Sequence, residues 1–230
     1  MTRVFSLALG QVGPLQQSAV SCGAACLVVA RMMRDPWLAG WILDGPAGDC
    51  RAPHERFADL ERRTMRRTNS VLAYPGRLQL PWPRSLGTSP WGAAAELEER
   101  SADPGHDYRI VPIRGLSPEA LAGAFDAVVA RVRPGAPVLL YVGSATLPRH
   151  VCLIFAGEGD RTVLLYEPAS GSVELPSRDR FAAAALGLAG WDRPWVLVAP
   201  QAAPTPAGRA RARLLSRAPR PAAGAVMFRE

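Results

Sequence analysis

A cysteine at the start of a helix is the group in this chain with the clearest capacity for chemistry. Residues 16–27 read QQSAVSCGAACL, which puts Cys22 in the first turn of a predicted helix and Gln16 six residues upstream. The unpaired N–H groups of a helix N-terminus and its partial positive charge both favour a thiolate over a thiol. A sulfur so placed can act as a nucleophile, and an upstream glutamine amide can donate to an oxyanion. Gln17 is the alternative for that second role, one position away. The hydroxyl of Ser18 or Ser21 is suited to cap the turn. Gly23, Ala24 and Ala25 carry so little side chain that the helix can pack closely while the sulfur stays accessible. The competing reading is a structural cysteine buried in an alanine-rich helix, the ordinary place of an unpaired cysteine.

A thiol nucleophile needs a base, and the chain has only three histidines. His54 heads a basic helix and His106 follows Asp103, Pro104 and Gly105 in a loop, so both read as exposed polar residues. His150 directly precedes the apolar run VCLIFAG, which sets an imidazole at the mouth of a strand buried on both faces. Glu158 and Gly159 then suit a two-residue hairpin turn closed by Gly157 and Asp160. In that register His150 faces Glu167, with Cβ atoms about 5 Å apart. A carboxylate there accepts from one imidazole nitrogen and fixes the tautomer that leaves the other for the thiol. Pro168 ends the strand just beyond the acid. A slip of one residue would turn Glu167 to the opposite face, and a surface cross-strand pair is the alternative reading.

Elements must exist to hold these groups. The Cys22 helix is expected to run to Met33, where Asp35-Pro36 stops it, and a loop rich in Gly, Pro and Trp follows as far as Pro53. A basic amphipathic helix is predicted over 54–67, with Phe57, Leu60 and Met65 on one side. The prolines at 75, 81, 83 and 90 make 68–90 an extended surface excursion. Helices over 88–100 and 117–133 flank a strand over 109–113. Strands are then predicted over 138–142, 151–156, 162–167, 172–175 and 195–199, with a helix over 180–188 before the last. Helices first and antiparallel strands afterwards give an α+β class in which the nucleophile helix packs on a mainly antiparallel sheet.

Composition narrows the function. At 230 residues the chain can bury a full core without metal or disulfide, and no metal or other cofactor is expected. The four cysteines show no paired zinc-ligand spacing, and with Cys22 free the remaining three cannot form a disulfide framework. All 27 basic side chains are arginine, and the net charge of +7 suggests a nucleic-acid partner until it is located. Six arginines against one glutamate fall in 200–230, so the body is nearly balanced. Nucleic acid is therefore not expected as a partner, apart from weak contact by that tail. The expected division is a single domain over 1–199 and a flexible Ala/Pro/Arg-rich tail over 200–230. No apolar run approaches the roughly 20 residues of a membrane span, and the N-terminus has no convincing signal peptide. A reducing, cytoplasmic setting is the expectation, with specialised export left open.

Gln16, then Cys22-Gly23, Ala25-Cys26-Leu27, His150 before an apolar strand and Glu167-Pro168 after a hairpin resemble the papain-like fold. More narrowly, they resemble the bacterial peptidases that remove double-glycine leaders from bacteriocin precursors, and their stand-alone relatives. The resemblance spans residues 11–198 and implies Cys22 as nucleophile, Gln16 as oxyanion donor, His150 as base and Glu167 as the acid that orients it. The acid departs from the family's usual aspartate by one methylene. The implied activity is that of a cysteine peptidase or amidase acting on a peptide or protein through an acyl-enzyme. Acyl transfer, transglutamination or deamidation of a partner protein, and peptide binding without catalysis, are the alternatives.

Overall fold

A six-stranded antiparallel sheet separates two helical layers in the computed structural model, which describes residues 4–74, 77–158 and 162–201. The strands are β1 (Tyr108–Pro112), β2 (Val138–Gly143), β3 (Pro148–Ala156), β4 (Val163–Tyr166), β5 (Val173–Glu174) and β6 (Arg193–Pro200), in the order β1-β6-β2-β3-β4-β5. Alternation of side chains along β2 and β3 divides the core. Leu139, Tyr141, Val151, Leu153 and Phe155 pack under the N-terminal helices. Val138, Leu140, Val142, Cys152 and Ile154 pack under α5 (Pro118–Val129) and α6 (Arg178–Ala182). Each fully buried aliphatic side chain contributes about 1.5–3 kcal/mol, so these unbroken apolar strands hold the centre of the sheet.

The first layer is built from α1 (Cys22–Arg34), α2 (Pro36–Leu43), α3 (Pro53–Thr68) and α4 (Pro90–Glu96). A π-helical turn over Leu97–Ser101 extends α4, where a continuous helix to residue 100 is predicted. Residues of α1 from Cys22 to Ala30 are all buried, and the helix lies between α3 and β3. Gly23 explains the closeness of that packing, because a Cβ there would lie 2.8 Å from Thr88 Cβ. The small residues therefore serve contact rather than access, and the Cys22 side chain is buried.

Several expected boundaries are corrected. The predicted loop after residue 35 contains α2, because Asp35 accepts from Leu38 N at 3.1 Å and Pro36 takes the first helical position, so the residues that stop one helix start the next. Arg56, buried on α3, closes the far end of α2 by donating to Ile42 O at 2.9 Å and Leu43 O at 3.2 Å. The stretch 68–90 is pinned rather than merely extended: Gln79 donates to Ser70 O at 2.9 Å, Ser89 to Thr68 O at 2.8 Å, and a 3-10 turn spans Arg84–Leu86. The helix predicted over 180–188 is α6, which stops at Ala182 because Ala184 takes a positive φ of 48°. The 200–230 tail lies outside the described residues beyond Gln201. Among the described residues no helix is long and apolar enough to cross a membrane.

Candidate active site

The hairpin that carries the base and the acid differs from its predicted form. Its ladder pairs Leu153 with Tyr166 and Ala156 with Val163, and Gly157 N donates to Thr162 O at 2.8 Å. The closing pair is therefore Gly157 with Thr162 and not Gly157 with Asp160; Gly159 and Asp160 of the predicted turn lie outside the described residues. Extended by one step, this register puts Glu167 opposite Cys152, two residues from the predicted His150. A shift of two preserves the face of every side chain. His150 and Glu167 thus meet as diagonal neighbours, within reach of side chains of this length.

His150 Nε2 donates to Glu167 Oε1 at 2.6 Å, with both side chains buried. That oxygen also accepts from Ala169 N at 2.7 Å, while Oε2 accepts from Ser170 N at 2.9 Å and Ser170 Oγ at 2.7 Å. Burial opposes the charged carboxylate, but the bonds from His150, Ser170 and Ala169 outweigh it and hold its pKa well below the usual range. Burial likewise opposes an imidazolium at His150. The nearby side chains of Cys152 and Cys22, together with the bonded Glu167, outweigh that and raise its pKa well above the ordinary value. Nε2 carries the proton that Glu167 accepts, so Nδ1 is the nitrogen left to take one from a thiol.

Cys22 is the first residue of α1 and is 3 % exposed. Ser21 is the residue before it but makes no capping bond with its side chain. Its hydroxyl instead accepts from Ser18 N at 3.0 Å and donates to Ser18 O at 3.0 Å, so neither predicted serine caps the turn. Gln16 lies on the same approach. Its backbone N donates to Pro168 O at 2.9 Å, one residue past the acid, and its Nε2 donates to Ser18 O at 2.8 Å. The buried Gln16 Oε1 has no partner among the described residues. Gln17 takes another direction: its exposed side chain donates to Leu15 O at 2.8 Å and lines an apolar cavity of about 320 Å³ with Leu7, Met32 and Phe57. Cys22, His150 and Glu167 are brought together around one imidazole, and Gln16 is tied to the turn that carries the acid. His54 is exposed as expected, whereas His106 is half-buried where an exposed residue is expected.

Two groups at the site escape sequence reasoning. Cys152 stands two residues past His150 on the same face of β3 and shares its imidazole. Burial raises the thiol pKa of Cys152 to about 11 and that of Cys26 well above its ordinary value, which keeps both protonated. All four cysteines are free, and Cys50 is the exposed one. His150, Cys152 and Glu167 bring potential ligand atoms within 4.8 Å of one another, a spacing a metal ion could bridge. The second group is Glu61, buried on α3, whose two oxygens each accept from Gln17 N at 3.1 Å. Its signal was an acid four residues after Phe57, on the apolar side of a helix. Set against known protein families and curated proteins, the chain matches none.

Proposed function

We propose that the protein is a cysteine peptidase or amidase with a papain-like arrangement of groups, acting on a peptide or protein substrate. The observation that carries this reading is a single buried imidazole with a carboxylate 2.6 Å from Nε2 and the Cys22 thiol on the same ring. Glu167 holds the tautomer and stabilises the imidazolium, and Nδ1 of His150 takes the proton of Cys22. The sulfur then attacks the acyl carbon, the C–N bond breaks, and the amine leaves with the proton returned by His150. Water hydrolyses the thioester by the same route in reverse.

The developing oxyanion needs donors. The first-turn N–H groups of α1 have no cap from Ser21, and the Gln16 amide has a second hydrogen beyond the one given to Ser18 O. One such donor is worth about 2.7–4 kcal/mol in the best-measured case. Because Cys22 is 3 % exposed, a substrate must displace covering residues to reach it.

The test compares iodoacetamide labelling of the parent with Cys22→Ala and His150→Ala, all in a Cys50→Ser background because Cys50 is exposed. Labelling is expected at Cys22 in the parent, slower in His150→Ala and absent in Cys22→Ala. Equal labelling of the parent and Cys22→Ala would remove Cys22 as the nucleophile.

A further inference from the structure

Residues 16–21 join the proposed oxyanion donor to the proposed nucleophile, and two of their backbone N–H groups are held from outside the segment. The backbone N of Gln16 is held by Pro168 O at 2.9 Å. The next backbone N, that of Gln17, is held by a side chain: both oxygens of Glu61 accept from it at 3.1 Å. The Ser21 side chain, directly before Cys22, lies close enough to Glu61 to favour its charged form. The carboxylate therefore holds the segment at Gln17, beside Gln16, with Ser21 and then Cys22 close by. It does so from a position 1 % exposed, on a helix 44 residues away in sequence. A buried acid here is costly unless it is fully bonded, and a neutral side chain of similar length would fill the same space.

We propose that Glu61 is a positioning residue of the active site, a carboxylate clamp that sets the oxyanion-binding segment against Cys22 and slackens when protonated. This rests on the cysteine peptidase reading above. In the ionised form both oxygens accept from the Gln17 N–H. Protonation turns one of those oxygens into a donor facing that N–H. Burial, opposed by the bond from Gln17, by the nearby Ser21 side chain and by Arg62 of the same helix, pushes the Glu61 pKa up to about 7. Tyr166 of β4 also couples to it, and its hydroxyl donates to Pro14 O. The clamp thus changes state near neutral pH.

Two reactions of the same sulfur separate this role from general damage. Alkylation by iodoacetamide is a displacement at a saturated carbon and needs no oxyanion site. Acylation by p-nitrophenyl acetate does: Cys22 sulfur bonds to the acetyl carbon, the C–O bond breaks, p-nitrophenolate leaves with the electron pair, and the thiol proton passes to His150. The ratio of the two rates cancels the ionisation of the thiol, which both share. It is measured in the Cys50→Ser background from about pH 5.5 to 8.5 for the parent, Glu61→Gln and Glu61→Ala, with circular dichroism reporting the fold.

In the parent the ratio is expected to rise through about pH 7. In Glu61→Ala it falls about 10-fold or more at about pH 8 with alkylation nearly unchanged, as expected for misplaced oxyanion donors. In Glu61→Gln it loses its pH dependence. A flat parent ratio, or variants that keep the parent's profile, overturns the clamp; a flat parent ratio does so even if Glu61→Ala fails to fold. If Cys22 of the parent is not alkylated at all, the peptidase reading fails first and takes the clamp with it.

Discussion

Replacing Glu167 by glutamine tests the charge pair without changing the side chain's size. Oε1 of Glu167 accepts from His150 Nε2 and Ala169 N, while Oε2 accepts from Ser170 N and Ser170 Oγ. A glutamine has one acceptor oxygen, so whichever way it turns, its NH2 group faces donors. Turned one way it opposes the Ser170 pair, and turned the other it leaves a buried imidazolium against an amide. Breaking a buried pair by removing one partner costs about 3–5 kcal/mol, counted once because both residues share the interaction. The pH dependence follows from the direction of each shift. Glu167 is depressed below 4.5, so its share is present above that value and is lost as pH falls through the folded pKa. His150 is raised above 6.5, so its share is complete below that value and is lost as pH rises toward the folded pKa. Urea unfolding followed by circular dichroism should therefore show the largest gap between parent and Glu167→Gln at about pH 5.5, shrinking at about pH 3 and at about pH 9. A gap below about 1 kcal/mol, or one that does not vary with pH, refutes a buried charged pair. Where the protein turns over a substrate, the same variant should lose activity by up to about 10⁴-fold, as removal of the orienting carboxylate does in the best-studied triad.

Glu61→Gln should also alter stability, independently of any reaction. The native acid holds its proton between the ordinary 4.5 and about 7, where the unfolded chain has lost it, so parent stability falls as pH rises through that window. The elevation corresponds to about 3 kcal/mol. Unfolding free energies should show the variant gaining on the parent by about that much between pH 4.5 and about 8, and a constant difference would contradict the buried acid. Gly92→Ala should destabilise by about 3 kcal/mol or more, because its Cβ would fall 1.9 Å from the backbone oxygen of Thr68 and 2.7 Å from Gln79 Oε1. An unfolding free energy within about 1 kcal/mol of the parent, measured by urea titration, would show that α3 and α4 can part at that point.

The parts of the site that follow from local pattern were legible in the chain. Cys22 opens a helix because a small-residue apolar run follows it, and β3 follows from seven apolar or small residues after His150. What depended on loop length was not. The hairpin closes at Thr162 because four residues, not two, separate the paired ends, and only the even size of that error kept Glu167 beside His150. Asp35-Pro36 reads equally as a stop and a start, and Arg56, which decides for a second helix, lies thirteen residues past that helix's last residue, Leu43. Glu61 was hidden for a different reason: its partner is a backbone N–H, which has no signature in sequence at all.

The bond from Gln16 N to Pro168 O couples two segments far apart in the chain. It joins the strand-end turn that anchors the acid to the segment leading into α1, so these parts translate together when the turn moves. Ala169 and Ser170 of the same turn hold the carboxylate, so a lengthened turn after Pro168 would release the acid as it displaced the segment. Sequence change there is accordingly felt at two places, the acid and the approach to α1.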